Sequence, residues 1–118
     1  MRPTYHLLPT ETWTAANLDP MAAYAAPSLA TEGFIHCTDG AEALIDTANR
    51  YYRDDPRPYV ALTIDLDAAG SPWTIEDPAG IYPHVHGAIA RDAIIGVQPV
   101  IRTADGTFLR VDGDGPAS

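Results

Sequence analysis

Two periodicities dominate the chain. From Tyr59 to Leu66, apolar Val60, Leu62, Ile64 and Leu66 alternate with Ala61, Thr63 and Asp65, which predicts a strand with one buried face and one that can be polar. Upstream, Ala41, Leu44, Ile45, Ala48, Tyr51 and Tyr52 follow the helical period and form one apolar face. Glu42, Asp46, Asn49, Arg50 and Arg53 lie opposite, with Asp46 and Arg50 at ion-pairing spacing. Thr38 or Asp39 is placed to cap this helix, Glu42 stands in capping-box spacing from Asp39, and Asp54-Asp55-Pro56 ends it.

The shorter segments fill in around these two. Thr4 to Leu8 predicts an opening strand that carries His6 and stops at Pro9. Thr10 followed by Glu11 predicts an N-cap and a short helix through Trp13 to Ala16. Asn17 to Ala26, alanine-rich and broken by Pro20, reads as irregular or as single helical turns. Gly33 releases the chain into a short strand, Phe34 to Cys37, in which Phe34 and His36 share one face and Ile35 and Cys37 the other. Trp73 to Glu76 predicts a strand after the Gly70-Ser71-Pro72 turn. Ile81 to Ile89 is extended at least around Tyr82, because Pro83 disfavours helix at the residue before it. Ile94 to Ile101 and Thr107 to Val111 flank an Asp105-Gly106 turn as a closing hairpin, with Pro99 placing its strand at an edge or a bulge. The order implies an α+β domain with mixed or antiparallel sheets and its helices early, one globular unit over residues 1–112 followed by a flexible tail over 113–118.

Composition narrows the function classes. The chain has 118 residues and a formal net charge of −9, and its seven basic residues are all arginine. Without lysine, Schiff-base catalysis and a Walker-type phosphate loop are excluded. The acidity argues against bulk nucleic-acid binding. Cys37 is the sole cysteine, so no internal disulfide can form, and a reducing compartment is expected. The first residues lack the apolar core of a signal peptide and no run approaches a membrane span, so the expectation is a soluble, cytoplasmic protein.

Chemistry concentrates in the four histidines. His6, His36 and the pair His84/His86 all fall in apolar, strand-like segments, where each can be a half-buried residue satisfied by a carbonyl or a member of a shared cleft. His-x-His at 84–86 is compatible with a metal, but no helix motif supplies further ligands, and none is expected. Cys37 points away from His36 on a regular strand and reads as a small core residue. Glu76, ending an apolar strand, is either a solvated acid or a carboxylate that orients a hydroxyl or stabilises a cation. Gly87 permits close backbone approach.

Tyr5-His6-Leu7, Trp13, Gly33-Phe34-Ile35-His36-Cys37-Thr38, Ala48-Asn49 and Tyr52 together resemble a small bacterial family of domains of unknown function, number 952 in that series. Trp73-Thr74-Ile75-Glu76 and Tyr82-Pro83-His84-Val85-His86-Gly87 fit the same pattern, with His86 in the place of a usual tyrosine. The resemblance implies a fold similar to ADP-ribosyltransferases and, through the RNA 2′-phosphotransferase branch, a cleft for NAD. By that analogy His6 holds a ribose hydroxyl and His36 lies near the nicotinamide or pyrophosphate. The third catalytic member is Glu76 or His84, and Thr38 and Tyr82 join the histidines in binding NAD. The expected function is an NAD-using ADP-ribosyl- or phosphotransferase-like enzyme or an NAD hydrolase acting on a small-molecule or nucleotide ligand. The alternatives are a non-catalytic nucleotide or metabolite module and a histidine-dependent metal protein.

Overall fold

Strand β3 (Tyr59–Asp65) runs through the middle of the molecule and is buried on both faces over most of its length. The structure is a computed structural model describing residues 1–113; of the tail expected over 113–118, residues 114–118 lie outside the described residues. β1 (Pro3–Pro9) and β6 (Ile94–Arg102) flank β3, and β7 (Phe108–Val111) adds to β6, giving an antiparallel sheet of order β1-β3-β6-β7. A second antiparallel sheet has order β2-β5-β4, from β2 (Ile35–His36), β4 (Trp73–Ile75) and β5 (Pro83–Val85). The sheets are stitched by Tyr5 and Thr38, whose backbones exchange N–H···O bonds of 2.9 and 2.8 Å. With α1 (Thr10–Ala16), α2 (Pro27–Glu32) and α3 (Ala41–Tyr51) as the three α-helices among the described residues, the chain is an α+β single domain.

Each face of β3 has its own core. Val60, Leu62 and Ile64 pack with Leu8, Tyr24, Ile35, Cys37, Val85 and Ile89, so the small sheet closes that side. Tyr59 and Ala61, on the face expected to be polar, are buried too, because α3 lays Leu44 and Ala48 against them along with Val100, Phe108 and Val111. Only Thr63 and Asp65, at the strand's far end, stay partly open. Asn49, read as a surface position, fastens helix to sheet: its Nδ2–H donates to the Phe108 carbonyl at 2.9 Å and its Oδ1 accepts from Phe108 N–H at 2.7 Å.

Several local expectations are corrected. α3 starts at Ala41 after Gly40 and has no side-chain cap. The Asp39 carboxylate is instead gripped by both terminal nitrogens of Arg2, at 3.0 and 2.6 Å, and Thr38 is committed to the pairing with Tyr5. Thr10 is the first residue of α1 and not its cap, a position held by Pro9. Asp46 and Arg50 form no ion pair among the described residues, since the Arg50 guanidinium lies 5.9 Å from the Tyr51 ring centre. Tyr51 and Tyr52 continue the apolar phase but are exposed. Pro99 sits in β6, an interior strand, without breaking a ladder. Its carbonyl accepts from Asp112 N–H, so the side lacking a donor faces the end of β7, where pairing starts only at Val100.

α2 was not anticipated from the pattern, being six residues long. Pro27 opens it, where a missing N–H costs nothing, and Gly33 closes it at φ 85° with its N–H on the Leu29 carbonyl at 3.1 Å. That left-handed turn aims the chain into β2, so Gly33→Ala is expected to destabilise the fold by about 1 kcal/mol, read from urea melts. An unchanged midpoint would show that the turn adapts.

Candidate functional site

Register assembles the site. Antiparallel pairing sets His36 opposite His84, and His84 opposite Thr74, while Ile35 and Val85 point inward and are fully buried. The alternation expected for residues 34–37 therefore holds, and the outer face of the small sheet carries Phe34, His36, His84 and His86. Phe34 stacks on the His84 ring at 4.1 Å between centres, with the His36 ring 4.6 Å and the His86 ring 6.2 Å from it. His36 and His84 meet edge-on at 5.7 Å. His86 shares a 2.7 Å hydrogen bond with the Thr74 hydroxyl and is exposed.

Beside this pair opens a cavity of about 580 Å³, within the range of small-molecule sites. Its sheet wall holds His36, Thr38, Tyr82 and His84, with Asp77 from the loop after β4; its helix wall holds Thr47, Arg50, Tyr51 and Tyr52; Glu32 enters from α2. Asp77 supports the loop: its carboxylate accepts from Ile81 N–H at 3.1 Å and Tyr82 N–H at 3.0 Å. Desolvation acts to raise the Asp77 carboxyl, but those N–H groups outweigh it and hold the group below its ordinary value. The Tyr82 hydroxyl lies 3.3 Å from that of Thr47, joining the two walls.

His36 is the best-equipped side chain. Its Nε2–H donates to the Glu32 carboxylate at 3.1 Å, one helical turn of sequence away, which leaves Nδ1 as the lone-pair nitrogen. Burial, and then the neighbouring His36, shift His84 below its ordinary value, which favours its neutral form.

His6 has a different role. Its Nδ1–H donates to the His36 carbonyl at 2.7 Å, and its Nε2 accepts from the Tyr24 hydroxyl at 2.8 Å. With both nitrogens occupied and the ring buried, desolvation pushes it down to about 4. It lines a recess of about 180 Å³ that shares Glu32, His36 and Tyr52 with the larger cavity, so it stands behind His36 and not beside His84.

The remaining candidates separate cleanly. Thr38 and Tyr82 line the cavity, whereas Glu76 is exposed, is not among the lining residues, and reaches His84 only through its charge. The Cys37 thiol, buried and pushed up to about 12 by desolvation and then by the Asp39 charge, is no nucleophile near neutrality. Gly87 makes its close approach to Ser71, whose side chain occupies the space a Cβ would need. Among the described residues no three His, Cys, Asp or Glu side chains are grouped to hold a metal ion, and no helix is long and apolar enough to cross a membrane. Sequence reasoning missed Glu32, Thr47, Arg50, Tyr51, Tyr52 and Asp77 as site residues. The available signal was the spacing of 47, 50 and 51, which share a helix face one turn apart.

Solved structures of protein CC0527 from Caulobacter crescentus have a similar fold. The crystal structures of that protein and of a double mutant each match with a TM-score of 0.70 and 24% identity, over 91% of this chain and 93% of that one. Its solution NMR structure matches with a TM-score of 0.66 and 25% identity, over 96% and 93%. No curated protein matches the chain. Residues 7–97, which span His36, His84 and the whole small sheet, match the family described as "Protein of unknown function (DUF952)", and the chain belongs to that family.

Proposed function

We propose that the cavity between α3 and the small sheet binds NAD and cleaves its nicotinamide–ribose bond, passing the ADP-ribosyl group to water or to an acceptor hydroxyl. The observation that carries this reading is the Glu32–His36 pair facing His84 across one strand register at the edge of a nucleotide-sized cavity. In the reaction the carbon–nitrogen bond breaks with its electron pair on the departing nicotinamide. Oxygen then adds to ribose C1′, and its proton passes to the free nitrogen of His36. The Glu32 carboxylate orients that imidazole and stabilises the cation it becomes. Positive charge developing on the ribose is answered by Glu32 and Asp77, both in the cavity wall. The two antiparallel sheets with a histidine on the first strand support the likeness to ADP-ribosyltransferases; here that histidine holds the strand bearing His36.

Calorimetry with NAD, paired with an assay for released nicotinamide, tests the reading. Saturable binding with release is expected. No heat at millimolar NAD would reject it, and binding without release would favour the alternative of a non-catalytic nucleotide module, for which the fully bonded ring of His6 already speaks.

A further inference from the structure

Among the described residues, Arg50 is a cation without an anion. Of the seven arginines, Arg2, Arg53 and Arg57 pair with carboxylates, while Arg91 and Arg102 are taken up by backbone or amide carbonyl oxygens. Arg110, also without a carboxylate partner among the described residues, lies in the wall of a smaller recess between α3 and β7. Arg50 has no carboxylate partner among the described residues; its guanidinium lies 5.9 Å from the Tyr51 ring centre and interacts with the phenols of Tyr51 and Tyr82. In a chain of net charge −9, Arg50 thus stands without a carboxylate in the wall of the larger cavity, and there it has exposed tyrosines beside it. Neither of the cavity's carboxylates forms an ion pair with it among the described residues: Asp77 accepts from backbone N–H groups and Glu32 from His36.

A position in the last turn of α3 favours any cation through the helix dipole, but that accounts for the charge and not for the aromatic surroundings. Tyr51 and Tyr52, at the end of a helix that buries Leu44 and Ala48, are 68% and 39% exposed, with ring centres 6.5 Å apart. An exposed aromatic surface beside an unpaired guanidinium matches a ligand that is planar at one end and anionic at the other. Bases stack on tyrosine faces, and phosphate oxygens accept paired N–H bonds from arginine.

We infer that Arg50, Tyr51 and Tyr52 form a subsite for a phosphorylated nucleoside, with the phosphate on Arg50 and the base against the tyrosines. This rests on the cavity being a nucleotide site, and it names which end of the ligand the α3 wall receives. By contrast, in the cavity lined by Arg53, Arg57 and Arg102 each of those guanidinium groups already faces a carboxylate or a backbone carbonyl.

The test is calorimetry of the full chain with ADP, and separately with adenosine. ADP is expected to bind about tenfold or more tightly than adenosine. Arg50→Gln should bring ADP down to the adenosine level, Arg50→Lys should recover part of the difference, and Tyr51→Ala should weaken both ligands. Arg50 and Tyr51 are exposed, so melting temperatures should stay near wild type, which keeps the comparison clear of folding effects. Equal affinity for ADP and adenosine, or ADP binding indifferent to Arg50→Gln, would overturn the subsite. Arg50-dependent ADP binding without nicotinamide release would uphold the subsite while rejecting the proposed turnover. Nicotinamide release with the same KM for NAD in Arg50→Gln would do the reverse.

Discussion

Replacing His36 with alanine is expected to lower nicotinamide release at least about a hundredfold while leaving the fold intact, the loss that removal of a general base brings. The side chain is about half exposed, so its removal opens no core cavity, and the residues that build β2 stay in place: Ile35 is buried, and the His36 carbonyl still accepts from His6. Glu32→Gln is expected to lose less, about tenfold, because the amide can still accept from Nε2–H but carries no charge to stabilise the imidazolium. A steady-state assay separates the terms. A fall in kcat at constant KM assigns His36 to the chemistry, whereas a rise in KM alone assigns it to binding and sinks its role as base. Since His84 is favoured in its neutral form, His84→Ala should act mainly through KM, as loss of a hydrogen-bonding wall.

What the sequence made legible was whatever repeats with a period. The alternation in Phe34 to Cys37 placed His36 outward and Cys37 inward, and the structure has them so. The strands around β3 and the helix over 41–51 also follow from their apolar spacing. What escaped was decided by partners distant in sequence. The cap expected from Asp39 is lost because Arg2, thirty-seven residues away, takes its carboxylate. The polar face expected for β3 is covered by α3, and Asn49 looks like a surface residue until the Phe108 backbone arrives beside it. The site followed the same division. His36 and His84 could be named from their strands, but their pairing depends on register between segments nearly fifty residues apart. Glu32 belongs to a helix too short to leave a periodic signature. His6 was legible as a notable residue, but its role was not, because Tyr24 and the His36 carbonyl that occupy it come from other parts of the chain.

His6 carries the second large effect, and it appears in stability. The ring is buried and pushed down from 6.5 to about 4, chiefly by desolvation. As pH falls below 6.5 the unfolded chain takes up the proton first. The stability due to neutral His6 is therefore complete above that pH, is lost as pH falls towards 4, and changes little below it. The difference amounts to roughly 3 kcal/mol for the whole window. Other groups share part of it: His84 shifts in the same direction, but it is only partly buried. Asp55 and Asp105, held below their ordinary 3.8, act at lower pH. His6→Gln isolates the contribution, since an amide can still hydrogen-bond at that position but does not titrate. The variant is expected to be less stable at pH 7 by about 1–3 kcal/mol, and its urea midpoint should fall less than that of wild type between pH 6.5 and 4. Equal slopes in the two proteins would assign the acid sensitivity elsewhere. The hydrogen bonds of the ring show what its protonation disturbs. One nitrogen holds the His36 carbonyl and the other holds Tyr24, whose backbone pairs with Ile89 at 2.8 Å in both directions. A charged His6 keeps its bond to the His36 carbonyl, which favours the proton, but loses the lone pair that accepts from Tyr24, so the Tyr24 contact is the one that must reorganise. Because the folded ring stays neutral until the pH approaches 4, any loss of ligand binding due to charging His6 should appear only near that pH in wild type, and should be absent in His6→Gln.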